Sequence, residues 1–167
     1  HFMQAKLIGF LRNEGQTLAR YPASDTSAPA RYARSVAYYR VADLANARRE
    51  LQSLIDEEPS NPYYQELMGQ ILFENGRAEE SIQYHERSLE LRPNEPLFQI
   101  NLARALTAAR GRSGADRSVE LLRYVVREEP DNGFAWREMA QARSAQGNEA
   151  LAQLASAEQN FSIGNYP

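Results

Sequence analysis

Three prolines recur in matching contexts along the chain: Glu57-Glu58-Pro59, Leu91-Arg92-Pro93 and Glu128-Glu129-Pro130. The first two prolines are 34 residues apart and the last two 37. A recurrence of this length constrains the fold strongly, because each unit must bury its apolar face against its neighbours. With the proline placed at position 32 of each unit, backward alignment gives four units: 28–61, 62–95, 96–132 and 133–166.

Each unit reads as two helices. Small residues recur in the first helix at Ser35, Gly69, Ala103 and Ala140, and in the second at Ala47, Ser81, Ser118 and Ala152. Small side chains there let two antiparallel helices approach closely, while larger apolar neighbours such as Leu51, Leu72, Leu106 and Leu122 fill the gaps. Gly76 and Gly147 mark turns, and the three extra residues of the third unit are expected in a turn over Arg110–Arg117. Each proline ends a second helix, because it lacks an N–H and clashes with the preceding turn. Asn61-Pro62 and Asn94-Glu95-Pro96 then restart one, proline being tolerated in a first turn. Period and pattern together resemble the tetratricopeptide family over 28–166. The predicted fold is all-α: a right-handed superhelix of about four helix-turn-helix repeats behind a helical leader.

The leader, residues 1–27, does not repeat. Met3, Leu7, Phe10 and Leu11 form a helical stripe. Asn13-Glu14-Gly15 is expected to interrupt it, Leu18 to sit in a second short helix, and Tyr21-Pro22 to end that run. Ala23–Ser27 reads as a linker, with Ser27 as an N-cap and Pro29 in the first turn. The opening His1-Phe2-Met3-Gln4 reads like the inside of a helix. Gly164-Asn165-Tyr166-Pro167 reads like a turn into another, so the chain is expected to be a piece of a longer protein.

Composition then narrows the chemistry. The chain has 19 Lys+Arg against 22 Asp+Glu, which excludes a dominantly basic nucleic-acid surface. It has no cysteine, hence no disulfide framework and no thiolate metal site. Only His1 and His85 are present, too few for the usual catalytic zinc site, and neither a phosphate-binding glycine loop nor a nucleophile elbow occurs. His85 is expected to pack in the core, as is Trp136, and the Glu57-Glu58 and Glu128-Glu129 pairs to be solvated. No catalytic residue, metal ligand or cofactor is expected within this chain.

A second, narrower likeness lies before the repeats. Met3-Gln4-Ala5-Lys6-Leu7-Ile8-Gly9-Phe10-Leu11, then Tyr21-Pro22, Asp25, Ser27 and Pro29-Ala30-Arg31-Tyr32-Ala33-Arg34, resembles alphaproteobacterial zinc metallopeptidases of the CAAX-prenyl-protease-like family, in its soluble BepA-like branch. In that branch an HExxH zinc domain precedes a tetratricopeptide region. The resemblance implies a periplasmic parent enzyme in outer-membrane protein quality control, with zinc in its catalytic domain. This chain would bind a polypeptide substrate, the outer-membrane assembly machinery or its own catalytic domain, with no nucleic acid and no membrane span. No zinc ligand carries over, since Leu89 stands where His85-Glu86 would need a second His. The alternatives are a stand-alone assembly scaffold, cytoplasmic as readily as periplasmic, and a structural cap over the protease cleft.

In tetratricopeptide arrays the first helix of each repeat lines the concave groove through positions 2, 5, 9, 12 and 13. The candidate protein-binding residues are therefore Tyr32, Tyr39 and Arg40 in the first repeat and Tyr63, Glu66, Gln70 and Phe73 in the second. Arg104 follows in the third, and Arg137 and Gln141 in the fourth. Val36, Ile100 and Phe134 share this register. Aromatic and arginine side chains are the types enriched at binding hot spots, although Tyr63 and Phe134 also suit an inter-repeat core. The lysine that clamps chaperone tails at position 5 is absent, so that ligand is not expected.

Overall fold

The computed structural model describes residues 13–164, and among them every regular element is a helix. In order these are α1 (Glu14–Arg20), α2 (Ala28–Arg40), α3 (Leu44–Glu57), α4 (Pro62–Glu74), α5 (Ala78–Leu91), α6 (Pro96–Arg110), α7 (Arg112–Glu128), α8 (Gly133–Ala145) and α9 (Glu149–Ser162). The chain divides into two compact units, with the boundary inside α4 between Ile71 and Leu72. The stripe at Met3, Leu7, Phe10 and Leu11 and the final Tyr166-Pro167 lie outside the described residues.

In the first unit α1 packs on α2 and α2 on α3. Asn13 starts a helix, the second short one expected around Leu18. Its Oδ1 accepts the Gln16 N–H at 2.9 Å, satisfying an orphan donor of the first turn of α1. Ser27 holds the N-cap position of α2 by backbone alone, its side chain making no cap bond. Its N–H donates instead to Asp25 Oδ1 at 3.0 Å.

The expected linker at Ala23–Ser27 is a latched turn. Arg34, 3% exposed, donates from Nη1 to the carbonyls of Pro22 at 2.9 Å and Asp25 at 2.8 Å. Its Nε and Nη2 donate to the two oxygens of Glu50 on α3, at 3.0 and 2.9 Å. One planar guanidinium thus serves both turn carbonyls while Glu50 neutralises its charge. Leader, α2 and α3 are thereby joined at one side chain. The expected small-residue contact is also present, with Ser35 Oγ donating to the Ala47 carbonyl at 2.9 Å.

In the second unit α5 packs on α6, α6 on α7, α7 on α8 and α8 on α9, with α6 also meeting α8. Ile100, Ala103, Val119, Leu122, Val125, Ala135 and Met139 form one buried cluster; Ile82, Leu102, Ala105 and Leu106 form another. Ser118 Oγ meets the carbonyls of Ala103 at 2.9 Å and Gly114 at 3.0 Å. Trp136 is only half-buried, its indole Nε1–H donating to the Pro130 carbonyl at 2.8 Å.

The extra residues of the third repeat do not form a long turn. Gly111 alone turns the chain, at φ 52°, and α7 starts at Arg112. Gly114 makes this possible, since a Cβ there would lie 2.4 Å from the Leu106 carbonyl oxygen. Without one, α7 crosses α6 at backbone contact, and the added residues lengthen helices.

Candidate functional site

The candidate residues separate into those used up by packing and those left at the surface. Tyr32 and Glu66, both assigned to the groove, are buried, at 0% and 5% exposure. Tyr32 lies against Tyr64, with ring centroids 6.0 Å apart, and burial pushes its phenol far above the usual tyrosine range. Val36 and Ile100 are buried as well, at 0% and 2%. The reason is periodic. The position-5 side chain of one first helix packs on the first helix of the next repeat: Tyr32 reaches Tyr64, and Ile100 joins the cluster that contains Met139. Position 5 is therefore core wherever the next repeat covers it. Arg137, at the same position of α8, is exposed.

Tyr39, Tyr63 and Gln70 are half-buried and Arg40 exposed, all in the first unit. Gln141 is exposed on α8, where it shares a shallow groove between α8 and α9 with Ser144, Gln153 and Asn160.

The second unit brings three candidates together. The Arg104 guanidinium, on α6, lies 4.6 Å from the Phe73 ring centroid and 5.2 Å from that of Phe134. Arg137, one turn along α8 from Phe134, lies over the same ring at 4.7 Å. Phe73 belongs to the end of α4 within the second unit, so the first helices of three successive repeats contribute. A phenyl face attracts a cation through its quadrupole, and guanidinium stacks on it better than ammonium.

Glu138 completes the group, and the sequence reading did not single it out. It is 5% exposed, and its Oε1 accepts from Arg137 Nη2 at 2.8 Å and Nε at 3.1 Å. Arg104 Nε stands 3.7 Å from the same oxygen. Adjacent helical residues do not face one another, which is why the 137–138 pair is easy to pass over. Arg104 and Glu138 lie on the first helices of adjoining repeats, at positions 9 and 6, so equivalent positions do not pair them. The group holds two cations and one carboxylate on an aromatic support, suited to binding and not to acid–base work.

Other arginines serve the scaffold. Arg110 pairs with Glu79 at 2.7 Å and Arg117 with Glu86 at 2.6 Å, each joining neighbouring repeats. Glu57, expected to be solvated, is exposed but takes a bidentate contact from Arg31 at 2.7 and 2.5 Å. Those hydrogen bonds hold its carboxyl below the usual glutamate range. His85 is buried, at 2%. Among the described residues no three His, Cys, Asp or Glu side chains come together in a group that could hold a metal. No described helix is long and apolar enough to cross a membrane.

No family model matches the chain. Among curated proteins it is 31% identical over 119 residues to the beta-barrel assembly-enhancing protease of Escherichia coli (strain K12), and 28% identical over 118 residues to that of Yersinia pestis. Each alignment covers 71% of this chain and 24% of the relative, so the chain matches about a quarter of the length of the curated relatives. Among solved structures, YrrB, described as a TPR protein with an unusual peptide-binding site, superposes with a TM-score of 0.78 at 15% identity, covering 99% of this chain and 86% of that one. A structure of MamA superposes with a TM-score of 0.80 at 13% identity, covering 99% and 98%. At such identities these likenesses carry the fold. The chain is an all-α tetratricopeptide domain that resembles the tetratricopeptide region of the beta-barrel assembly-enhancing proteases.

Proposed function

We propose that this chain is the polypeptide-binding module of a periplasmic zinc metallopeptidase engaged in outer-membrane protein quality control. The observation that carries the binding role is the Phe73–Arg104–Phe134–Arg137 group, assembled from three successive first helices and still partly exposed. The metallopeptidase context rests on the 31% identity to the beta-barrel assembly-enhancing protease. In this reading zinc and peptide hydrolysis belong to a separate catalytic domain, and the present residues hold substrate or dock on the assembly machinery.

The test is titration of an unfolded outer-membrane β-barrel protein against the chain. Phe73→Ala and Arg104→Ala should each weaken binding by ~2 kcal/mol or more, as truncated aromatic and arginine hot spots do. Replacing Arg48 and Arg49 of α3 together should change it by less than ~0.5 kcal/mol. The reverse ranking would move the partner surface to α3. Added zinc should give no cleavage of casein by this chain, and metal-dependent cleavage that copurifies with it would overturn the division of labour.

A further inference from the structure

Arg104 is held differently from the other arginines around it. Arg110, Arg117 and Arg137 donate hydrogen bonds to Glu79, Glu86 and Glu138. Arg104 makes no guanidinium hydrogen bond among the described residues. Its nearest carboxylate oxygen, Glu138 Oε1, stands at 3.7 Å, beyond hydrogen-bond range. The Phe73 and Phe134 rings, at 4.6 and 5.2 Å, support the guanidinium. Its side chain nevertheless remains 25% exposed. What it offers a ligand is its in-plane edge of N–H donors, whose fork matches the two oxygens of a carboxylate. The orientation is fixed before binding, so little side-chain entropy is lost when the edge is used.

The neighbours set the charge of the ligand. Arg104 and Arg137 both approach Glu138 Oε1, so one carboxylate already fits between two guanidinium groups. Two arginines against one glutamate leave a local excess of positive charge in a chain whose net charge is -3. Arg137 spends Nε and Nη2 on Glu138, and its side chain is 48% exposed.

We propose that the Arg104 edge, assisted by Arg137, binds the side-chain carboxylate of an Asp or Glu within an extended polypeptide. Glu138 is the chain's own competitor for the two arginines and holds them in place until the ligand arrives. The ligand's acid is internal, because the group draws on α4, α6 and α8 in turn and a segment crossing three helices meets Arg104 in mid-course. The proposal rests on the polypeptide-binding reading above and specifies what the polypeptide carries.

The test uses two libraries of randomised linear peptides displayed against the whole chain. One is tethered through its C-terminal ends, so that only side-chain carboxylates are available; the other presents free C-termini. The tethered library should enrich peptides with an Asp or Glu at a fixed place. Changing that acid to its amide should cost about tenfold in affinity, as loss of a charge-assisted hydrogen bond does. Arg104→Gln should cost the same, and the two changes together little more than either. Glu138→Gln should tighten the acidic peptide and leave the amide peptide unchanged, which a purely structural Glu138 would not do. If Arg104→Gln does not fold, the exposed Arg137→Gln carries the same comparison. Equal affinity for acid and amide peptides overturns the carboxylate assignment and leaves the polypeptide-binding reading standing. Enrichment only among free C-termini overturns the internal acid. No enrichment from either library overturns both.

Discussion

Arg34 in the first unit and Arg104 in the second both lie in the first helix of a repeat and both are drawn out of water, yet they are treated oppositely. Arg34 is 3% exposed and spends its donors on two loop carbonyls and the two oxygens of Glu50. Arg104 keeps 25% of its side chain exposed and rests on Phe73 and Phe134, and its guanidinium makes no hydrogen bond among the described residues. A buried cation whose every donor is used is a fastener; one held by aromatic faces with its edge unused is a receptor. The difference bears on the family likeness. Tyr21-Pro22, Asp25 and Arg34, among the residues that carry it, form the latch.

The largest expected effect separates the two arginines outright. Arg34→Ala leaves Glu50 without its partner and strips donors from the carbonyls of Pro22 and Asp25, so it should destabilise the chain by ~3–5 kcal/mol in a denaturant titration. Arg104→Ala removes cation–π contacts worth ~0.5–1 kcal/mol each and should cost no more than ~2 kcal/mol of stability. Comparable losses would erase the distinction between fastener and receptor.

The next test sharpens the contrast between the repeat turns of the two units. In the second, Gly114 lets α7 touch the α6 backbone, and Gly114→Ala places a Cβ 2.4 Å from the Leu106 oxygen. The clash should cost ~1–3 kcal/mol, outweighing the gain of ~1 kcal/mol in helix propensity. A stabilised variant would mean the helices can separate freely. In the first unit the corresponding turn carries Ala42 at φ 60°, where Gly76 and Gly147 serve later repeats. Ala42→Gly relieves that strain and should raise the denaturation midpoint by the equivalent of ~0.5–1 kcal/mol; a lowered midpoint would argue against strain at this position.

The smallest effect is one of pH. Glu57 is held below its usual value of 4.5 first by its hydrogen bonds from Arg31, which outweigh the opposing desolvation. A carboxyl lowered on folding contributes stability above its unfolded value and loses it as pH falls through the folded one. Glu57→Gln should therefore lower stability slightly at neutral pH, where the contribution is fully present, and leave a flatter profile as pH falls through the acid window, where the wild-type chain loses it. An unchanged acid slope would mean that the Arg31 contact does not persist in solution.

Much of the fold was legible because proline spacing and small-residue positions are set by close packing. Ser35 meets Ala47, and Ala103 meets Ser118, where the repeat places them. The leader was less legible. The short helix around Leu18 is there, capped by Asn13, but Ala23–Ser27 is fixed by an arginine farther along the chain. Of the candidate residues, Phe73, Arg104 and Arg137 lie in one group, whereas Tyr32 and Glu66, expected in the groove, are buried. Helical periodicity gives the face a residue occupies within its own helix. It does not say whether the next repeat covers that face, as it does at Tyr32 and Ile100. Glu138 escaped notice because its partner Arg104 lies on the first helix of the preceding repeat, a pairing that only stacking creates.

The most direct measurement is a nuclear magnetic resonance titration of the arginine side-chain N–H groups with an unfolded outer-membrane β-barrel protein. The Arg104 and Arg137 signals, with backbone amides of α6 and α8 near them, should shift progressively while Arg34 stays unchanged. Shifts at Arg34 and the Tyr21–Asp25 turn, with Arg104 and Arg137 silent, would contradict this expectation.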